Sequence, residues 1–449
     1  MPSDTPLLGK DASVSHLNDR IAGNALSRPG RGWLFGFAVS FALLILLQFC
    51  VVWLFTKGVG IWGIQIPVAW GFAIINFVWW IGIGHAGTFI SAILLLLHQD
   101  WRTSINRFTE AMTLFAVACA GLFPLLHLGR PQYFYWLIPY PDTMNLWPQF
   151  RSPLVWDFFA VSTYATVSLL FWFLGLVPDL ATLRDTAKPR WKQRLYGIFA
   201  LGWRNSARHW EHYKRVYLVL ATLAAPLVIS VHSIVGLDFA YANLPGWHST
   251  IFPPYFVAGA IYSGFAMVLT LCIPLRRFHR LHDYITDAHL DKMAKVLLLT
   301  GLIVCYGYLS EMFMAWYSGE TIERYMAANR LGGAAAVSFW ALIVCNCLSP
   351  QFLWFRKVRQ SPFILFILSL VINLGMWLER YVIVVTSLER DFLPSSWQGF
   401  KPTFWDYATL AGTFGLFFTL LFLFVRSLPV ISMSEMREFI HEKKKEDAS

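Results

Sequence analysis

Charged residues are unusually scarce in this 449-residue sequence. Asp, Glu, Lys and Arg together make up 14% of it, whereas 57% is hydrophobic. Soluble globular chains carry about 25% charged residues, so this composition excludes an ordinary soluble domain. Long apolar runs and 21 tryptophans instead predict a protein embedded in a bilayer, with aromatic residues at its interfaces.

Cysteine is also scarce, and its spacing matches no cofactor motif. No pair forms CxxC or CxxCH, which argues against an iron–sulfur site, a c-type haem or a structural zinc in this chain. We therefore expect this chain to hold neither a haem nor an iron–sulfur cluster. We expect its cysteines to act as small hydrophobic residues. All six lie in apolar runs: Cys50, Cys119, Cys272, Cys305, Cys345 and Cys347.

The N-terminal segment lacks the apolar core of a signal peptide. Residues 1–32 are polar and include Asp4, Asp11, Asp19 and Arg20, so we expect the first apolar run to stay in the mature protein. The predicted organisation is a cytoplasmic tail over 1–32, a transmembrane domain over 33–427 and a second cytoplasmic tail over 428–449.

Ten apolar runs are long enough to cross about 30 Å of hydrocarbon as helices, the form that satisfies every backbone group in lipid. The fold class is therefore all-α and polytopic. The predicted spans are 33–56, 67–97, 107–128, 154–177, 216–236, 255–275, 296–317, 334–354, 362–385 and 405–425.

The distribution of Lys and Arg sets the orientation. With the N-terminus inside, 28 of the 36 basic residues fall in inner segments and 7 in outer loops, while Arg380 lies within span 9. This bias predicts that both termini lie in the cytoplasm. It also explains the net charge of +10, so the positive charge does not indicate a nucleic-acid partner.

Two outer loops are unusual in composition. Loop 237–254 has no Lys or Arg, and loop 129–153 is rich in aromatic residues and proline. Such segments form either an aromatic belt at the membrane or a docking surface for a partner. The aromatic residues are Tyr133, Phe134, Tyr135, Trp136, Tyr140, Trp147 and Phe150.

The ends of spans 5 and 9 resemble each other. Span 5 reads VHSI before Asp238-Phe239, and span 9 reads VTSL before Asp391-Phe392, one gap away from alignment. This similarity fits two related four-helix halves, spans 2–5 and 6–9.

Ionisable residues inside spans are functional candidates, because a charge at a helix centre costs about 2.5–3.5 kcal/mol on insertion scales. By the predicted topology, most lie in one layer near the outer face, on spans 3, 4, 5, 7 and 9. We expect a common polar site there. The layer comprises His127, Asp157, His232, Asp238, Glu311 and Arg380, with Glu379 beside Arg380.

Each of these residues also has a simpler explanation. Asp157 stands in the first turn of its helix, where the dipole stabilises a carboxylate, and Arg380 could snorkel to the interface. His127 could cap a helix kinked by Pro124, and Asp238 could be a loop acid. Glu379 and Arg380 project about 100° apart on a helix, so we expect them not simply to neutralise each other.

His85 and Glu110 lie away from this layer. His85 is near the middle of span 2 and Glu110 near the inner end of span 3. They could extend a proton path inward, but a packed histidine with satisfied hydrogen bonds and an interfacial glutamate are the simpler expectation.

Such an outer polar layer suits quinol oxidation. The reaction releases two electrons and two protons, so each ring hydroxyl needs a proton acceptor. A neutral His beside an Asp is such a group, since its pKa lies near working pH. A nearby Arg would keep the Asp ionised. Electrons would leave to a partner protein.

Several segments resemble the NrfD/PsrC family of quinone-interacting membrane subunits, and within it most closely the ActC subunits of alternative complex III. The longest are NFVWWIGIGHAGT at 76–88 and LPGWHSTIFPPY at 244–255, and GMWLER at 375–380 is another. The other segments are 101–107, 110–113, 123–131, 152–157 and 391–397.

The resemblance implies two four-helix bundles, spans 2–5 and 6–9, flanked by spans 1 and 10. It implies oxidation of a quinol such as menaquinol near the periplasmic face, in a pocket of His127, Asp157, Asp238 and Arg380. His232, Glu311 and Glu379 are secondary candidates for quinol binding, and His85, Glu110 and Glu311 for a proton path that contributes to proton translocation.

The resemblance also implies partners. These are a periplasmic iron–sulfur subunit, subunits with c-type haem, a second NrfD-like membrane subunit and a terminal oxidase.

Two other functions stay open from the residues alone. A b-haem electron carrier needs His pairs on facing helices, and only His85, His127 and His232 lie in spans, with His85 at another depth. A secondary transporter built from two repeats would have its site near the midplane, where this sequence is mostly Leu, Ile, Phe and Val.

Overall fold

The computed structural model describes residues 6–137 and 150–446. It is 79% helical, without strands in the described part, and ten helices are long and apolar enough to cross a membrane. The chain is thus an all-α, multi-pass integral membrane protein. Spans 1 to 10 are Arg31–Lys57, Phe72–Leu96, Asn106–Leu126, Pro153–Thr186, Ala207–Ala240, Phe252–Phe278, Asp287–Tyr317, Ala336–Trp354, Pro362–Thr386 and Phe404–Ser427.

All ten predicted spans are confirmed, and the main differences are in length. The helices of spans 4, 5 and 7 are 34, 34 and 31 residues long in total, because their polar ends remain helical beyond the apolar run. The predicted end of span 4 at residue 177 is wrong, since the helix passes through Pro178. Asp179, expected in a loop, is consequently a fully buried helix residue.

The spans pack as two four-helix groups that share an interface. Span 2 packs against spans 3, 5 and 6, span 4 joins spans 3 and 5, and span 6 packs against spans 7 and 9. The backbones come close where spans 2 and 6 cross, since a Cβ built on Gly264 would lie 1.7 Å from the Cβ of Ala86. The expected bundles of spans 2–5 and 6–9 are therefore present.

Spans 1 and 10 pack against each other and flank the first bundle. Trp80 of span 2 anchors span 10: its indole N–H donates to the Thr413 hydroxyl at 3.0 Å, and its ring stacks on Phe417 at 5.1 Å.

The segments predicted as tails are folded onto the bundle. The N-terminal helix Val14–Leu26 and the C-terminal helix Met433–Glu446 pack against each other, and the Arg437 Nη2 donates to the Asn18 side-chain oxygen at 2.6 Å. Both terminal helices thus lie on one face, which we call the inner face. The opposite face is the outer face.

Further helices lie between the spans. The interfacial helix Arg190–Phe199 connects spans 4 and 5 on the inner face, and Thr321–Gly332 connects spans 7 and 8 on the outer face. Part of the cation-free loop 237–254 packs on its own chain, since the buried Trp247 donates to the Ile383 carbonyl at 2.6 Å. Tyr140 and Trp147 of the aromatic loop lie outside the described residues.

Candidate functional site: an outer cavity in the first bundle

His127 stands where span 3 ends at the outer face. Its ring Nδ1 lies 2.9 Å from the Phe123 carbonyl oxygen. A carbonyl can only accept, so Nδ1 carries the proton in this contact and Nε2 keeps its lone pair. The end of span 3 thereby holds the His127 imidazole in a tautomer whose Nε2 can accept a proton.

Two carboxyl groups from neighbouring helices meet beside it. Asp157 is the fifth residue of span 4, just beyond the first turn in which the sequence placed it, and Asp238 lies in the last turn of span 5 and not in a loop. Their side chains lie within hydrogen-bonding reach of each other. One oxygen of each, Oδ1, is shielded from water and has no partner among the described residues. Such a pair can hold a proton between its two members.

A cavity of about 570 Å³ brings these three residues together, a size within the range of small-molecule sites. Its walls are otherwise largely apolar and come from spans 2 to 5 and the segment before span 2. The aromatic wall residues are Trp70, Phe77, Phe158 and Phe239.

Arg380 does not line this cavity, although the sequence placed it in the same pocket. It forms an ion pair with the adjacent Glu379, so the expectation that the two do not neutralise each other is wrong. The side chains bend toward each other despite their 100° separation. The guanidinium also lies 4.1 Å from the centroid of the Phe256 ring, and that ring is 5.4 Å from the cavity residue Phe239.

Glu379 belongs to a buried network in the second bundle. The Tyr308 hydroxyl donates to its carboxylate, and the Asn346 amide donates to the Tyr308 oxygen at 2.8 Å. The sequence prediction missed Tyr308 and Asn346 because it considered only ionisable side chains within spans, although an Asn inside a membrane helix also needs a hydrogen-bond partner.

His232 lies deeper than the predicted outer layer. Its ring centroid is 4.4 Å from that of His85, so the expectation that these residues lie at different depths is wrong. No nitrogen of either ring has a hydrogen-bond partner in the described structure, which contradicts the expectation of a satisfied His85. A cavity of only about 10 Å³ lies beside them, enough for about one water and too small for a haem between the rings.

Glu311 lies on the outer side of the second bundle, apart from His127 and Asp157. It pairs with Arg330, and both line a separate cavity of about 220 Å³ together with Glu323. The Glu323 carboxylate accepts the Gly246 N–H at 3.0 Å. Burial raises the pKa of Glu323, although that hydrogen bond and Arg330 act in the opposite direction.

Glu110 is buried at the inner end of the first bundle and is not interfacial as expected. It accepts hydrogen bonds from Ser91 at 2.5 Å and Tyr217 at 3.0 Å. Arg107 lies 3.5 Å from Glu110 and 3.2 Å from Asp179.

The C-terminal helix completes this inner network through Glu435, which pairs with Arg102 at 2.6 Å. The sequence offered a signal for Arg107, a cation at a span end. It offered none for Glu435, which looks like an ordinary residue of a polar tail.

The described residues contain no group of three or more His, Cys, Asp or Glu side chains arranged to share a metal ion.

The fold defines the class of this protein as a polytopic integral membrane protein, and comparison with known proteins identifies its family. The profile of the family "Polysulphide reductase, NrfD" matches residues 63–390, so the chain belongs to the NrfD family. It is 26% identical over 381 residues to a putative dimethyl sulfoxide reductase membrane subunit of Halobacterium salinarum, covering 80% of this chain and 78% of that protein. It is also 21% identical over 396 residues to a selenate reductase subunit of Mesobacillus selenatarsenatis, covering 84% and 89%.

Proposed function

We propose that this chain binds and oxidises a quinol in the outer cavity and passes the electrons to a partner protein. The observation that supports this most is the cavity itself. Its largely apolar walls suit a quinone ring and the start of its tail, while His127, Asp157 and Asp238 supply the few polar groups such a site needs.

The proposed chemistry balances on these groups. One quinol hydroxyl gives its proton to the Nε2 of His127, and the other gives its proton to the Asp157–Asp238 pair. The two electrons leave one at a time to an iron–sulfur protein docked on the outer face. Quinone remains, and the three side chains release both protons on the outer side.

Arg380 and Glu379 enter this proposal as positioning residues. Arg380 stacks on Phe256, and Phe256 contacts the cavity wall at Phe239. Their ion pair would thus hold the inner wall of the quinol site without touching the ring hydroxyls.

A proton path through the bundles is a further part of the proposal. Glu110 lies near the inner end of the first bundle, His85 lies in contact with His232 deeper in the fold, and Glu311 lies on the outer side of the second bundle. The unpartnered ring nitrogens of both histidines are the observation that favours such a path, because a water in the small cavity beside the two rings could exchange protons with them.

The partner is an iron–sulfur subunit in either of two arrangements. The resemblance to ActC favours a quinol-oxidising complex with c-type haem subunits, a second NrfD-like subunit and a terminal oxidase, placed in a bacterial inner membrane with the outer face periplasmic. The names of the two relatives favour a terminal reductase instead. Both arrangements draw electrons from the same quinol site.

The test is steady-state quinol oxidation by the complex purified with its partner subunits. Asp157→Asn should lower kcat by about 10²–10⁴, the contribution typical of a positioned acid or base. The matched control is Asp391→Asn, the residue that the internal similarity aligns with Asp238; Asp391 does not line the cavity and should leave turnover unchanged. Full activity of Asp157→Asn in an assembled complex would refute the proposal.

A further inference from the structure

A second large groove lies at the inner face, on the opposite side of the protein from the outer cavity. It has a volume of about 560 Å³ and is formed by span 4, the interfacial helix, the end of span 10 and Ala25 of the N-terminal helix. Trp172 and Leu176 of span 4 contribute to its apolar wall. The Tyr196 hydroxyl donates to the Ser427 carbonyl at 2.9 Å, which ties the interfacial helix to span 10.

The charges in this groove are of one sign. Its charged lining residues are Lys192 and Arg426, and no acid lines it among the described residues. Arg426 donates to the Asn24 carbonyl at 2.5 Å, a neutral acceptor, and Lys192 has no ion pair within the described chain. Burial lowers the pKa of Lys192, and the positive charge of the nearby Arg426 lowers it further.

The groove lies at the level where lipid headgroups are expected. The interfacial helix exposes apolar side chains, with Trp191 63% and Ile198 69% accessible, and carries Arg190 and Arg194 as well. A short helix with an exposed apolar face and several cations is typical of one lying in the plane of the membrane surface. A lining residue, Trp172, also has a buried indole N–H without an acceptor in the described structure.

We propose that this groove is a binding site for an anionic phospholipid of the inner leaflet. The lipid phosphate lies between Lys192 and Arg426, and an acyl chain follows the apolar wall of span 4 past Trp172 and Leu176. Basic pockets between helices on this side of a membrane suit anionic headgroups. The groove lacks the acid and the histidine that the outer cavity offers to a quinol, and the phosphate would neutralise the uncompensated cations.

The experiment measures retained lipid on the full-length protein, purified from nanodiscs containing phosphatidylglycerol and phosphatidylcholine. Native mass spectrometry compares wild type, the groove variant K192Q/R426Q and the control variant R208Q/R277Q. The control removes two exposed cations of the inner face that do not line the groove.

Wild type and control should retain phosphatidylglycerol, and the groove variant should retain roughly thirtyfold less, since each cation near an anionic headgroup contributes about 1 kcal/mol. Retention of phosphatidylcholine should be equal and low in all three. K192Q alone removes a side chain that has no hydrogen bond to the described residues. It should retain about fivefold less phosphatidylglycerol than wild type, and it keeps the test valid if the double variant does not fold.

The proposal is overturned if the groove variants retain as much phosphatidylglycerol as the control, or if wild type retains both lipids equally. A quinone lost from the groove variants in place of a phospholipid would also overturn it.

Discussion

At the residue scale, backbone and helix ends hold the outer cavity's polar groups. The Phe123 carbonyl fixes the His127 tautomer, and no cation lines the cavity among the described residues to compensate the two carboxyl groups. A site built this way can change its protonation without breaking an ion pair. The Arg380–Glu379 and Arg330–Glu311 pairs lie elsewhere and have their charges compensated.

The inner network gives the clearest stability prediction for a single residue. Arg107 is fully buried between Asp179 and Glu110. Arg107→Met should therefore lower the free energy of unfolding by about 3–5 kcal/mol, because it leaves buried carboxylates unpaired. Denaturant titration in mild detergent measures this change.

Arg184→Met is the matched control for Arg107→Met. The Arg184–Asp185 pair is partly exposed, with 29% and 67% of the side chains accessible, and ion pairs near the surface contribute about 0–1 kcal/mol. Equal losses in the two variants would contradict the account of the inner network.

The sequence was sufficient to locate residues whose environment is determined by their position near a helix end. His127, Asp157 and Asp238 were predicted together because three spans end at one face, and they share a cavity. The positions of Arg380 and His232 could not be predicted, because a neighbour's side chain decides them: Glu379 draws Arg380 into an ion pair, and packing brings His232 onto His85. The depth of a residue along its helix does not determine which neighbouring side chain it contacts.

At the scale of elements, close approach of helix backbones holds the two bundles together. A Cβ on Gly264 would lie 1.7 Å from the Cβ of Ala86, so spans 6 and 2 must separate to accept it. Small residues permit such crossings in membranes, where packing drives helix association.

Gly264→Ala should therefore lower the melting temperature of the purified protein by several degrees, following a loss of about 1–3 kcal/mol from overpacking. Gly23→Ala is the control, because a Cβ there has no neighbour within 4 Å and alanine favours the helix. It should leave the melting temperature unchanged or slightly raised. A Gly264→Ala protein as stable as wild type would show that the crossing is loosely packed.

The ten spans were predictable because each apolar run must form a helix in lipid. The two terminal helices were not, since residues 1–32 and 428–449 are polar overall. Their few apolar side chains, such as Leu17, Ile21 and Met436, are buried against the bundle and each other. That contact depends on tertiary packing and leaves little pattern in the sequence.

At the scale of the whole molecule, ten spans place both termini on one face, and the positive-inside bias predicts that this face is cytoplasmic. Reporter fusions in cells test this. A fluorescent protein at the C-terminus should be bright, and alkaline phosphatase fused after residue 320, in the outer segment, should be active. The opposite pattern would invert the topology and move the outer cavity to the cytoplasmic side.

The central claim, a quinol site at the outer end of the first bundle, is tested most directly by bound quinone. Quinone would be extracted and quantified from protein purified with its partner subunits in native lipid, comparing wild type, Asp157→Asn and the control Asp391→Asn. We predict quinone in wild type and control, and a marked loss in Asp157→Asn because the carboxyl pair no longer holds the ring hydroxyl. Quinone absent from wild type, or retained equally by all three, would contradict the account.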